Sequence, residues 1–205
     1  MKLPIIILAV LILLVVGCAT VQNPPLVPTS NTTSAISGNQ DLLLSEQDLE
    51  QLGMSPYLNN PDLEQAGITF NGTPCNTGVY ETSEYSPLME ESLCSYIINS
   101  LSNTSIFIQL SRYTTLEALN GSYQYGSSHL YSAEGLISEN DYGDQSRFRV
   151  SDEHDYGGEF NDPNITYYHL WICKDTYMIH ITSKGSKDAK EYIEKTGRLF
   201  LSKLG

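Results

Sequence analysis

The densest group of residues with chemical potential is Asp152-Glu153-His154-Asp155, followed by Glu159, Asp162 and Asn164. With Asp141 and Asp144 upstream, the stretch offers hard oxygen ligands of the kind Ca²⁺ takes, so Asp152, Glu153 and Asp155 are candidate metal ligands. The spacing is not that of an EF-hand loop, and Gly157 and Gly158 also suit a plain turn, so a solvated acidic loop is the competing reading. His154 among carboxylates would have a raised pKa and serve as a pH sensor. A second group is aromatic: Tyr167, Tyr168, Trp171 and Tyr177. Such rings stack on sugars when a strand presents alternate ones on one side, and they also favour strands for packing alone.

Four cysteines occur, Cys18, Cys75, Cys94 and Cys173. Cys75 sits in a Pro/Asn/Gly turn that a staple would steady. The loop it closes with Cys94 has a chain-entropy value of ~3 kcal/mol, so Cys75 and Cys94 are the expected disulfide. Cys173, in the middle of an expected strand, then becomes a buried free thiol. Asn31, Asn71, Asn103, Asn120 and Asn164 each open an Asn-x-Ser/Thr sequon, as a glycosylated surface protein would show. The four scattered histidines have no metal-ligand spacing. No nucleophile elbow, His-Glu-x-x-His, phosphate-cradling loop or Cys-x-x-Cys is present. An enzyme here needs a site assembled only in three dimensions, and no cofactor is implied.

These residues sit in a chain of 205 with a net charge of −13. A surface so acidic is repelled by phosphate backbones, which argues against nucleic-acid binding. It suits cations or simple solubility.

The N-terminus supplies an address. Residues 3–16 are apolar after a single charge, Lys2, which is short for a spanning helix and right for a signal-peptide core. Val15-Val16-Gly17-Cys18 resembles the lipobox of prokaryotic lipoproteins, bacterial or archaeal. In that family the cysteine becomes the new N-terminus and carries lipid on its sulfur. The resemblance implies a signal peptide over 1–17 and lipidation at Cys18. An uncleaved anchor over 3–21, or cleavage to a soluble form, are the alternatives. From 18 to 40 the chain is rich in Pro, Ser, Thr and Asn and reads as a disordered tether. It would span ~25 Å.

Residues 41–205 read as a single α+β domain. Leu42-Leu43-Leu44 predicts a short strand, and Ser45-Glu46-Gln47-Asp48 a capped helix that Gly53 stops. Short strands are predicted at 68–70 and 79–82. Ser86-Pro87 reads as a helix start, with Met89, Leu93, Tyr96, Ile97 and Leu101 at helical spacing; Cys94 would lie in that helix. A strand at 105–110 and a helix at 114–123 follow, then a Gly-, Ser- and acid-rich stretch at 126–143. Strands at 146–150, 165–174 and 176–182 come next, the last two as a hairpin around Lys174-Asp175. An amphipathic helix capped by Ser186 ends the chain. This order predicts an antiparallel sheet with packed helices.

The Leu42-to-Leu49 start (Leu-Leu-Leu-Ser-Glu-Gln-Asp-Leu), Gly143-Asp144, the hairpin and the closing helix together resemble bacterial extracytoplasmic sensor domains. The sensor domain of mycobacterial serine/threonine kinases is one example. The resemblance implies an α+β sheet without enzymatic activity and with a ligand cleft. The sequence-based expectation is therefore a lipid-anchored, outward-facing, non-catalytic domain. It would bind the membrane through its anchor, and an unknown protein or small molecule through its fold. An extracytoplasmic hydrolase-type enzyme and a purely structural envelope protein are the alternatives.

Overall fold

A computed structural model describes residues 36–205 apart from 66, 71, 81–86, 129–134 and 152–164. Cys18, Asn31, Asn71, Asn164, Asp152, Glu153, His154 and Asp155 lie outside the described residues.

Eight strands form one antiparallel sheet: β1 (Met54–Pro56), β2 (Cys75–Val79), β3 (Leu88–Ile98), β4 (Ser105–Tyr113), β5 (Leu136–Glu139), β6 (Gln145–Ser151), β7 (Thr166–Lys174) and β8 (Tyr177–Gly185). Their order is β1-β3-β4-β8-β7-β6-β5, and β2 also pairs with β3. The two short strands share one edge of β3: β1 lies against Tyr96–Ile98 and β2 against Glu90–Cys94. Among the described residues four α-helices pack on this sheet: α1 (Glu46–Leu52), α2 (Pro61–Gln65), α3 (Leu116–Ser128) and α4 (Lys190–Leu204). The α+β expectation therefore holds.

Local chemistry explains the helix ends. The Ser45 hydroxyl accepts the Asp48 N–H, and the Asp48 carboxylate accepts the Ser45 N–H, a complete capping box. Gly53 ends α1 in the left-handed region at φ 65°. Asn60 caps α2 by accepting the Asp62 N–H, and Pro61 takes the first helical position. Before α4, Ser186 accepts the Asp188 N–H.

The two sheet faces carry different layers, because successive strand residues point to opposite sides. On one face Leu170, Ile172, Ile179 and Ile181 are fully buried together with Ile193 and Phe200 of α4. On the other, Trp171, Cys173 and Met178 pack with Tyr113, Leu119 and Tyr123 beneath α3. The Lys174-Asp175 hairpin forms as predicted, with Asp175 at φ 52° and Lys174 opposite Tyr177. A neighbouring turn clamps it: Asp144 accepts the Asp175 N–H at 2.9 Å and Lys174 Nζ at 3.2 Å. Gly143 precedes Asp144 at φ 60°, and a Cβ there would lie 2.5 Å from the Cys173 carbonyl oxygen, so only glycine fits.

Three expectations fail. The helix predicted from Ser86-Pro87 is instead β3, the longest strand; Ser86 itself is outside the described residues. Its core-face positions Ser92, Cys94, Tyr96 and Ile98 alternate with period 2, Ser95 being buried on the other face, and Ser92 and Cys94 are not residues that announce a core face. The helical spacing of Met89, Leu93 and Tyr96 came from mixing both faces of a strand. Leu42-Leu43-Leu44 is not a strand: it follows a 3-10 turn at Asn39–Asp41 and inserts Leu42 and Leu44 into the core. Residues 68–70 form no strand, and β5 arises within the Gly-, Ser- and acid-rich stretch.

Candidate functional site

Cys75 and Cys94 form the expected disulfide, directly opposite each other in the β2–β3 register. Cys94 reaches Cys75 from a strand, not from the predicted helix. Cys173 is a buried free thiol. Burial, then the nearby Asp144 charge, pushes it up to about 12, so it stays an inert thiol.

The candidate site lies on the sheet face opposite α4. The register places His180 beside Trp171, Thr182 beside His169, and Lys184 beside Tyr167, with Phe107 and Ser105 of β4 alongside Thr182 and Lys184. α3 closes one end of this ladder. The Thr115 hydroxyl caps it on the Ala118 N–H, and Arg147 ties its last turn to the sheet. The Arg147 guanidinium donates to Ser127 and Ser128 of the helix and to Glu139 of β5. At the other end, α2 is anchored by Asn60, whose side chain donates to Ser95 at 3.0 Å. The helix thus holds Asp62 over β8, where Lys184 Nζ donates to both carboxylate oxygens at 2.7 and 2.9 Å. Burial opposes the Lys184 charge, but the Asp62 hydrogen bond and charge outweigh it and raise its pKa.

Two hollows flank this pair. The larger, of about 610 Å³, is lined by Tyr57, Ile97, Leu101, Asn103 and Ile165 among others. The smaller, of about 240 Å³, is lined by Asn60, Leu63, Phe107, Tyr167 and Thr182. Both reach Asp62, Ser105 and Lys184. Sequon residue Asn103 is exposed on the rim of the larger hollow, in the β3–β4 turn at φ 52°. Asn120, also exposed, lies on α3 and accepts Gln145 Nε2 at 2.7 Å.

Between the two ends three polar atoms converge. His169 Nδ1 lies 3.3 Å from His180 Nε2, and the Thr182 hydroxyl lies 3.4 Å from the first and 3.1 Å from the second. Burial pushes His169 down to about 4. Burial and then the neighbouring His169 push His180 well below the usual range. Both rings are therefore neutral at pH 7 and able to offer a lone pair. The Trp171 ring stacks on His180 at 4.4 Å between centroids.

The aromatic group read from the sequence does not form one platform. Tyr168 and Tyr177 enter the core on the α4 face, while Trp171 is 3% exposed beneath α3 and Tyr167 reaches the smaller hollow. The convergence of His169, His180 and Thr182 was missed because the histidines are 11 residues apart. The hairpin register carried the signal: with Lys174 opposite Tyr177, His169 and His180 become diagonal neighbours on one face. Among the described residues no three His, Cys, Asp or Glu side chains gather, and no helix is long and apolar enough to cross a membrane.

No family model matches the chain, and no curated protein matches it. Among solved structures, the extracellular domain of PknH from Mycobacterium tuberculosis aligns with 80% of this chain and 93% of its own. The identity is 8% and the TM-score 0.43, and no residue role is carried across.

Proposed function

We propose that this chain is an extracytoplasmic lipoprotein, anchored through Cys18, whose domain captures a small amphipathic ligand without transforming it. The observation that carries the reading is the pair of hollows that share Asp62, Ser105 and Lys184. The larger has the volume typical of a small-molecule site and the usual mixture of apolar walls with a few polar points. Tyr57, Ile97 and Leu101 would receive an apolar body, and the Lys184–Asp62 pair would orient its polar end. Lys184, whose charge burial opposes and Asp62 sustains, would act as a fixed positive point for the ligand. An oxidising location is supported by the Cys75–Cys94 bridge, since structural disulfides persist outside the cytoplasm. The apolar leader and Val15-Val16-Gly17-Cys18 support the anchor.

Thermal-shift measurements on the mature chain, against amino acids, amino sugars and short-chain carboxylates, test the reading. A hit is expected to raise Tm by several degrees in the wild type and to lose that shift in Lys184→Met. No shift with any class would remove the ligand-capture reading. Mass spectrometry of the native N-terminus tests the anchor separately: a lipid-modified Cys18 is expected, and an unmodified peptide beginning at Met1 refutes it.

A further inference from the structure

The triangle formed by His169 Nδ1, His180 Nε2 and Thr182 Oγ1 has edges of 3.3, 3.4 and 3.1 Å. Hydrogen bonding alone does not account for all three edges. A ring nitrogen of a neutral imidazole is either a donor or an acceptor, so a hydrogen bond between the two rings needs one of these nitrogens protonated and the other bare. In that tautomer pair the Thr182 hydroxyl donates to the bare nitrogen, and the one N–H is shared between that same nitrogen and the hydroxyl oxygen. At 3.3 Å the nitrogen–nitrogen edge is at most a long hydrogen bond.

A metal ion accounts for the same triangle directly. Two nitrogens bound at about 2.0–2.1 Å to one tetrahedral cation stand ~3.3–3.4 Å apart. The three atoms therefore have the dimensions of one face of a coordination tetrahedron. We propose that His169, His180 and Thr182 form a binding site for a borderline divalent transition-metal ion such as Zn²⁺, for which Cu²⁺, higher in the affinity order of divalent metals, serves as a probe. The two imidazoles are its principal ligands and the Thr182 hydroxyl is a weaker third. Imidazole donors select this class over Ca²⁺ and Mg²⁺, which take oxygen ligands. Thr182 is the member of the triangle that also lines the smaller hollow, of about 240 Å³. Water or a small ligand would complete the coordination.

The chain contains a single tryptophan, and it is Trp171, stacked on His180. Cu²⁺ at the site would sit within about 8 Å of that ring and quench it, so titration of the mature full-length chain with Cu²⁺ reads the site directly. Saturable 1:1 quenching is expected. His169→Gln and His180→Gln are each expected to weaken binding at least ~30-fold, and Thr182→Val by a smaller factor. A His129→Gln/His154→Gln double variant, which removes the other two histidines, is expected to bind as the wild type does. Electron paramagnetic resonance of the wild-type Cu²⁺ complex is expected to show coupling to two imidazole nitrogens, a readout that stands even if a variant fails to fold. Oxygen-only coordination, absence of Trp171 quenching, or wild-type affinity in both the His169 and His180 variants would each overturn the proposal, the last by assigning the binding to surface carboxylates.

Discussion

The Cys75–Cys94 bridge joins a short edge strand to the longest strand of the sheet, and its removal has a calculable cost. The cysteines are 19 residues apart. In the chain-entropy account a loop of that length removes ~11 cal/mol/K from the unfolded ensemble, or about 3 kcal/mol at 25 °C. Replacing both with alanine also deletes a sulfur at Cys94, which is 2% exposed, and leaves a small void worth ~1 kcal/mol. The double variant Cys75→Ala/Cys94→Ala is therefore expected to lose about 3–4 kcal/mol. For a domain of this size each kcal/mol moves Tm by about 2–4 °C, so a fall of ~10 °C is expected. Near-UV circular dichroism melts of three samples separate the two contributions: oxidised wild type, wild type in reductant, and the double variant. The reduced wild type keeps both sulfurs, so its loss reports the cross-link alone and should account for most of the drop. A Tm change below ~3 °C in both altered samples would refute the entropic argument. A drop confined to the double variant would assign the effect to packing.

Other consequences follow from the same geometry. Cys173, 1% exposed and pushed up to about 12, is expected to resist a thiol-directed disulfide reagent in the native protein and react only in denaturant; labelling of the native thiol, mapped by mass spectrometry, would contradict its burial. Asn39 is buried and donates to the Leu110 carbonyl at 2.8 Å, so Asn39→Ala should strand that carbonyl and cost about 2 kcal/mol in urea unfolding, with a loss below ~0.5 kcal/mol counting against it. For Asp48, burial opposes the charge, but Lys203 and Ser45 outweigh it and depress the pKa. Its contribution is thus present above the ordinary carboxylate range and is lost as pH falls through the depressed value. Asp48→Asn should cost about 1–2 kcal/mol at pH 7 and approach zero cost near pH 2; a cost independent of pH would sink the linkage. A Cβ at Gly197 would lie 2.8 Å from Leu170 and 3.0 Å from Ile172, so Gly197→Leu should lift α4 from β7 and cost more than ~2 kcal/mol despite its better helix propensity, measured by denaturant midpoint.

How far the sequence could be read depended on where the determining interactions lie along the chain. The α1 capping box spans three residues, and the β7–β8 hairpin turns on Asp175-Thr176 between strands whose core residues alternate, so both are visible locally. β3 was misread because half of its core face is Ser92 and Cys94, which become core residues only through Leu110 and Ile108 across the ladder. β5 carries no fully buried residue and is held in part by the Glu139–Arg147 ion pair, so no hydrophobic pattern marks it. The Cys75 turn and the loop length point to the Cys75–Cys94 pair although Cys94 lies in β3 and not in the expected helix, because loop entropy is indifferent to secondary structure whereas register is not. The site divides the same way. Asp62 and Lys184 are 122 residues apart, and nothing near either announces the pair. His169 and His180 are different: once the hairpin turn is placed, the strand period puts both rings on the Trp171 face with no further information. An 11-residue spacing matches no helical or loop metal-ligand pattern. Across a hairpin, an 11-residue separation brings two side chains to diagonal positions on one face, where a common ion is within reach of both.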